Sequence, residues 1–145
     1  MVLFGLGGTW WAITGPARSA REPWNDASAG FGDSRLDVLS YAILAPNPHN
    51  MQAWRIGLGE SREFTIYCDL DRLLPETDPP NRQITIGFGW CLELCRQAAA
   101  ESGFRADLAY FPEGEPQPLL DGRPIAHVEL VADASVRPDP LFDTV

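Results

Sequence analysis

The longest stretch of helical periodicity lies between about residues 81 and 102, and it constrains the fold more than any other feature of the chain. Apolar residues recur there at helical spacing and form one stripe: Ile84, Phe88, Cys91, Leu92, Cys95 and Ala99. A second apolar stripe contains Ile86, Trp90 and Leu94. A helix with two apolar stripes is predicted to be buried on most sides, so the rest of the chain must supply the elements that cover it.

Two glycines interrupt this helix. Gly87 and Gly89 each cost up to roughly 1 kcal/mol relative to alanine in a helix interior. A helix that retains them often has something close to its backbone, and a packed helix and a bound ligand explain them equally well. Gly103 is predicted to end the helix, because glycine readily adopts the left-handed conformation found there.

Alternating segments flank the long helix on both sides. Residues 54–58 and 64–68 alternate apolar and polar side chains around a short turn, which predicts a β-hairpin. Residues 104–110 and 126–132 alternate in the same way and predict two further strands. Because an apolar helix precedes all of these, the order is helix, two strands, helix, two strands. This order predicts an α+β fold, an antiparallel sheet with packed helices, rather than a wound parallel sheet.

The length of 145 residues allows one domain with its own core. We predict that residues 33–145 form this domain, with Asp33 or Ser34 capping the first helix. Residues 1–32 are predicted to be a signal-like apolar segment followed by a linker. Residues 1–17 carry no charge, as in the core of an export signal, but no basic residues precede them; a loosely packed tail is the alternative. We expect an exported, periplasmic or membrane-associated protein if this segment belongs to an export signal, and a cytoplasmic one otherwise.

Charge and cysteine content exclude several classes of function. The net charge of −9 repels phosphate backbones, so nucleic acid is not an expected partner. Cys68, Cys91 and Cys95 are odd in number and lack the spacing of a disulfide framework. Cys91 and Cys95 share one helix face, where buried small apolar residues are the favoured interpretation. A metal or redox pair would need a CxxC motif or a nearby His–Cys cluster for support.

A polar loop follows the first helix, which is predicted to end before Pro46. Asn50 and Gln52 lie between this helix and the first strand, and each amide offers donors and an acceptor. A flavin needs that mixture, with donors for its carbonyl oxygens and acceptors for its ribityl hydroxyls. Such a loop also fits an ordinary turn, so residue types alone leave both interpretations open.

The same segment resembles the A-P-S-x-x-N-x-Q-P-W signature of nitroreductase-like FMN proteins. Five residues match this pattern at the corresponding positions: Ala45, Pro46, Asn50, Gln52 and Trp54. Asn47 replaces the usual serine and can still form hydrogen bonds, whereas Ala53 replaces the usual proline.

The likeness extends to the Acg-type branch of that family and covers residues 36 to about 142. It implies that residues 33–145 are the N-terminal half of a nitroreductase-like domain, which is half of the full fold. Residues 71–75 and 78–79, followed by Arg82 and Gly87, are similar to the D-R-x-x-L-P-x-x-D-P-x-x-R-E-x-x-I-S-x-G-A pattern of that branch. Gln83 and Phe88 depart from it. Members often begin with a twin-arginine export signal, which would account for the apolar N-terminus.

The resemblance implies noncovalently bound FMN that takes hydride from NAD(P)H and passes it to a nitro, quinone or similar small acceptor. It implies that Pro46, Asn47, Asn50 and Gln52 line the flavin. Pro48 and His49 are expected beside the ring, although His49 also fits a surface loop. No protein side chain need act as a nucleophile, and no catalytic residue is assigned.

The FMN phosphate is a dianion that needs charge-assisted donors. In the Acg-type branch an arginine-rich run follows a D-P-L-F stretch, which is similar to residues 139–142 here. We therefore expect a truncated chain whose phosphate-binding arginines lie beyond residue 145, since Arg55, Arg72 and Arg82 are scattered and fit solvated charges. The alternatives are a flavin-binding or sequestering protein with little turnover, and a fragment that folds only with a partner, either as a homodimer or with a complementing second half.

Overall fold

The computed structural model describes residues 22–27 and 29–142. Its helices are α1 (Glu22–Ala27), α2 (Ser34–Ala42) and α3 (Arg82–Glu101), and its strands are β1 (Trp54–Leu58), β2 (Glu63–Cys68), β3 (Phe104–Tyr110) and β4 (Pro124–Ala132). Short 3-10 turns, Pro48–Asn50 and Leu70–Arg72, lie in the connections. The predicted signal-like segment, residues 1–17, falls outside the described residues. Among the helices described, none is long and apolar enough to cross a membrane.

One antiparallel sheet contains all these strands, in the order β1-β2-β4-β3. The predicted hairpin is confirmed, with Ile56 opposite Ile66. The second predicted pair is β3 and β4, in which Leu108 lies opposite Val128. β2 and β4 join the pairs into a single sheet, with Phe64 also opposite Val128. The architecture is the α+β arrangement that the order of elements predicted.

The core lies between one face of this sheet and the helices α2 and α3. Phe64, Ile66 and Val128 of the sheet have no exposed surface. Val38 of α2 and Cys95 of α3 are equally inaccessible and belong to the same apolar cluster. Full burial of each large apolar side chain contributes roughly 1.5–3 kcal/mol, so this layer dominates the stability of the fold.

Only one of the two apolar stripes on α3 is buried, so the prediction that this helix is covered on most sides is wrong. Ile84 and Phe88 of the first stripe are buried, whereas Ile86 and Trp90 of the second are 55% and 54% exposed. Periodicity identifies apolar faces but does not say how many of them find a neighbour. Within the described part of the chain, α3 rests on α2 and the sheet with one face and turns the other to solvent.

The first core helix, α2, begins where the sequence predicted. Asp33 is its N-cap, and its side chain accepts a hydrogen bond from the backbone N–H of Arg35 at 2.9 Å. The Arg35 guanidinium donates to the same carboxylate at 2.7 Å, which lowers the pKa of Asp33 to about 2. The sequence predicted only that this helix ends before Pro46, and it ends at Ala42. The reason is that the Leu44 backbone N–H bonds the Tyr41 carbonyl, which makes a tighter turn than an α-helix.

A short helix occupies part of the segment that the sequence predicted to be a linker. Helix α1 begins with Glu22 and Pro23, residue types that favour the first turn of a helix. Ala27 at its end is buried, and its carbonyl accepts a hydrogen bond from Ser40 Oγ of α2 at 3.4 Å. Contact with α2 therefore stabilises a helix that has no apolar periodicity of its own. The same contact brings α1 beside the loop that follows α2.

Candidate functional site

The loop between α2 and β1 has an unusual backbone over residues 47–52, here called the 47–52 loop. His49, Asn50 and Gln52 have positive φ values of 51°, 52° and 50°. Left-handed conformations are uncommon in residues other than glycine, and asparagine adopts them more readily than glutamine does. Such conformations persist only where surrounding contacts enforce them, and they concentrate at functional sites.

Amide side chains within the loop supply part of that enforcement. Asn47 Oδ1 accepts a hydrogen bond from the Gln52 backbone N–H at 2.9 Å, and Asn47 Nδ2 donates to the Ala45 backbone carbonyl at 3.1 Å. Gln52 Nε2 donates to Asn50 Oδ1 at 2.9 Å and to the Ile43 carbonyl at 3.3 Å. These side chains therefore fix the bend and at the same time present amide groups at its surface.

A second set of contacts comes from the connection after β2. Arg72 Nη1 donates to the Met51 carbonyl at 3.0 Å, and the Asp69 backbone N–H donates to the Ala53 carbonyl at 2.7 Å. The peptide between Met51 and Gln52 is thus held at both ends, its carbonyl by Arg72 and its N–H by Asn47. Arg72, whose guanidinium lies 3.4 Å from Asp69, is a structural partner of the loop as well as a half-exposed charge. Its place in the Acg-like pattern was the only sequence signal for this role.

Gly87 of α3 provides the floor on which the loop packs. A Cβ added at Gly87 would lie 3.4 Å from Asn47 Cβ and 3.5 Å from Pro48 Cδ. The 47–52 loop therefore lies against the backbone of Gly87, and close packing accounts for a glycine at this position. Gly89 has no atom within 4 Å of the same position, so packing does not explain it.

The loop forms one wall of a cavity of about 670 Å³, within the usual range for small-molecule sites. The other wall comes from α1 and from the turn that ends α2. Its lining residues are Pro23, Trp24, Ile43, Leu44, Ala45, Pro46, Asn47, Asn50 and Gln52. The structure therefore brings together four of the predicted cofactor-binding residues and adds Trp24, which sequence reasoning missed because its segment has no periodicity.

Two predicted site residues do not line this cavity. Pro48 is half-buried and contacts Gly87, whereas His49 is exposed. The left-handed backbone of His49 turns the chain at the outer edge of the loop. Of the two interpretations of His49, this position favours the surface residue.

The chemistry of the lining fits the ring of a flavin but supplies nothing for its phosphate. Apolar side chains and three amides match a flat heterocycle with carbonyl and imino groups. The lining residues described above include no arginine, lysine or histidine. Among the described residues, no group of three His, Cys, Asp or Glu side chains could hold a metal ion.

The cysteines lie apart from this site, within the core. Cys91 and Cys95 are 1% and 0% exposed, which confirms that they serve as small buried side chains. A hydrogen bond with Cys91, together with burial, raises the pKa of Cys95 well above its usual range. Burial also raises the pKa of Cys68 to about 11. All these changes favour the uncharged thiol at neutral pH over the nucleophilic thiolate.

Comparison with known proteins agrees with this architecture, although no family model matches the chain. A Mycobacterium tuberculosis protein that is assigned by name as the NAD(P)H nitroreductase acg is 37% identical over 75 residues. That match covers 52% of this chain and 22% of the relative, so the chain spans only a small part of the relative's length.

Two solved structures share the fold. A nitroreductase-like protein from Streptococcus mutans superposes with a TM-score of 0.56 at 11% identity, covering 79% of this chain and 86% of that one. A Staphylococcus epidermidis protein assigned by name as an NAD(P)H:FMN oxidoreductase gives a TM-score of 0.51 at 13% identity, over 79% of this chain and 84% of that one. The chain thus has a nitroreductase-like fold, and about half of it is related in sequence to the Acg-type NAD(P)H nitroreductases.

Proposed function

We propose that this chain binds FMN in the cavity beside the 47–52 loop and belongs to an oxidoreductase that passes hydride from NAD(P)H to nitro or quinone-like acceptors. One observation carries the proposal. Asn50 and Gln52 are non-glycine residues in left-handed conformation that line a cavity of about 670 Å³, and amide side chains and Arg72 hold their loop. A loop with so many enforced backbone conformations is more consistent with a built site than with an ordinary turn.

The residues of the chain would orient and shield the cofactor. Asn50 and Gln52 offer amide donors and acceptors to the polar edge of a heterocycle. Ile43 and Leu44 supply apolar surface that excludes water and strengthens those hydrogen bonds. When bound, FMN would supply the hydride chemistry itself, so no nucleophilic side chain is required. This assignment explains why amides are among the described residues that line the cavity.

The names of similar proteins support the same assignment. The Mycobacterium tuberculosis relative is named for NAD(P)H-dependent nitroreduction, and the Staphylococcus epidermidis structure is named for NAD(P)H and FMN. The sequence match includes only 22% of the relative. A second copy of this chain or a complementing second half is therefore proposed to complete the active protein, and the mass measured by size-exclusion chromatography with light scattering tests this.

Flavin titration tests the binding step directly. We expect FMN fluorescence to change on addition of the chain and the melting temperature to rise with FMN concentration. Asn50→Ala should weaken binding roughly 5- to 10-fold through the loss of one amide partner. Gln97→Ala is the matched control, because this amide bonds Glu93 on α3, away from the cavity. A folded wild-type chain that leaves FMN fluorescence and its own melting unchanged contradicts the proposal.

Turnover requires a second measurement. NAD(P)H oxidation by the FMN-loaded protein is followed with and without a nitroaromatic or a quinone. Acceptor-dependent oxidation supports the oxidoreductase. Bound FMN that NAD(P)H fails to reduce would instead support a flavin-binding or sequestering protein with little turnover.

A further inference from the structure

Trp24 is the aromatic residue of the candidate cavity, and neither the sequence motif nor the resemblance assigns it a role. It lies in the middle of α1 and is 56% exposed. It lines the same cavity as Asn47, Asn50 and Gln52.

We propose that Trp24 is the stacking residue of this cavity and covers one face of the flat ring that the 47–52 loop holds by its edge. The proposal rests on the flavin site proposed above and adds to it the residue that stacks on the face of the ring. Amide groups hydrogen-bond the rim of a heterocycle, where its carbonyl and imino groups lie. They offer little to the ring faces, whereas an indole offers a complementary π surface. The cavity therefore combines the two kinds of contact that a tricyclic ring requires.

Helix α1 fixes the position of Trp24. Ala27, one turn further along α1, is 5% exposed, and its carbonyl accepts the hydrogen bond from Ser40 Oγ of α2. The Ala29 backbone N–H bonds the Asp26 carbonyl at 3.0 Å and closes the end of the helix. Helix α2 thus carries α1 on one side and leads into the 47–52 loop at its own end. The indole and the amides are held by one common element, which suits a site of defined width.

The test compares substitutions at Trp24 with an equivalent change elsewhere. Trp24→Phe keeps an aromatic face, Trp24→Leu keeps apolar volume without one, and Trp24→Ala removes both. Trp90→Ala is the matched control, since Trp90 is 54% exposed on α3 and does not line the cavity. The dissociation constant of FMN is measured by flavin fluorescence for each variant, and the melting temperature of each free protein is recorded.

We expect Trp24→Ala and Trp24→Leu to weaken FMN binding roughly 5- to 10-fold, the range for loss of one aromatic contact. Trp24→Phe and Trp90→Ala should remain within about 3-fold of wild type. Flavin fluorescence in the bound state should rise in Trp24→Leu, because a stacked indole quenches it. Equal affinity of Trp24→Leu and Trp24→Phe overturns the stacking role, even if Trp24→Ala proves unstable. If the wild-type chain does not bind FMN, the proposed function itself is wrong. If the wild type binds FMN and Trp24→Leu binds it equally well, only the stacking role of Trp24 is wrong.

Discussion

The β2–β4 core and the 47–52 loop are built on different physical principles. Phe64, Ile66 and Val128 of the core are 0% exposed and make their contribution by apolar burial. The loop has half-exposed and exposed side chains, and directional hydrogen bonds from Asn47 and Arg72 fix its shape. Burial depends on volume and period, whereas hydrogen bonds depend on the identity of single atoms. The core should therefore tolerate any apolar residue of suitable size, and the loop should respond to changes that preserve size.

Removal of a core side chain should give the largest effect of all. Phe64→Ala deletes a fully buried ring, and such changes cost about 3–5 kcal/mol of unfolding free energy. Leu58→Ala is the control on the neighbouring strand, because Leu58 is 51% exposed and its loss should cost less than about 1 kcal/mol. Urea unfolding measures both. An equal loss of unfolding free energy in the two variants would show that the buried face of β2 does not lie at the centre of the core.

Substitution at the two glycines of α3 should separate the loop from the helix. A Cβ at Gly87 would lie 3.4 Å from Asn47 Cβ, so the two further methyl groups of Gly87→Val should displace the loop, cost about 1–3 kcal/mol and weaken FMN binding. Gly89→Ala meets nothing within 4 Å and should stabilise the helix by about 0.5–1 kcal/mol. Thermal unfolding and FMN titration of both variants give the comparison. Unchanged FMN binding in Gly87→Val would mean that the site does not depend on this contact.

Loss of the Arg72 contact should have a smaller effect on stability than on binding. Arg72→Gln removes the charged donor to the Met51 carbonyl and should cost about 1 kcal/mol while freeing the peptide that follows Met51. FMN affinity should fall by a larger factor than Arg96→Gln produces, since Arg96 pairs only with Glu93 on the surface of α3 in the described contacts. Isothermal titration calorimetry measures both affinities. An equal loss of FMN affinity in both variants would indicate that the change in net charge weakens binding, and that the Arg72 contact with the loop does not.

The smallest expected effect concerns the phosphate of the cofactor. Because no cationic side chain is among the described residues that line the cavity, riboflavin and FMN should bind the chain with dissociation constants within about 3-fold of each other. A phosphate held by even one charge-assisted hydrogen bond would favour FMN by roughly 10-fold or more. Parallel titration of the two flavins decides this. Clear preference for FMN would show that a cation outside the described lining completes the site.

The elements of the fold were predictable because their signals are local. Alternation predicted all four strands, and Asp33 and Gly103 were expected at the ends of the helices where the structure has them. Helix α1 was not predicted, since six residues without an apolar stripe give no periodicity. The solvent-facing side of α3 was also missed, because the sequence shows that Ile86 and Trp90 are apolar but not whether anything covers them.

The residues of the candidate site were predictable only in part. Residue types singled out Asn50 and Gln52, because amides at a helix–strand junction are chemically suited to a heterocycle, and the family resemblance added Asn47. Nothing local could show that Arg72 bonds Met51 or that Trp24 faces the same cavity. Those contacts join residues that are far apart along the chain, so they exist only after the sheet and helices have packed.

What the sequence determined by itself is therefore the set of elements, the apolar faces and the amide-rich loop, since each depends on residue types at fixed spacing. Only the tertiary structure decided the conformation of that loop. The loop packs on Gly87, its Met51 carbonyl accepts a hydrogen bond from Arg72, and it shares a cavity with Trp24. The physical reason is that hydrogen bonds and close contacts act over a few ångströms in space, whereas periodicity records only distance along the chain.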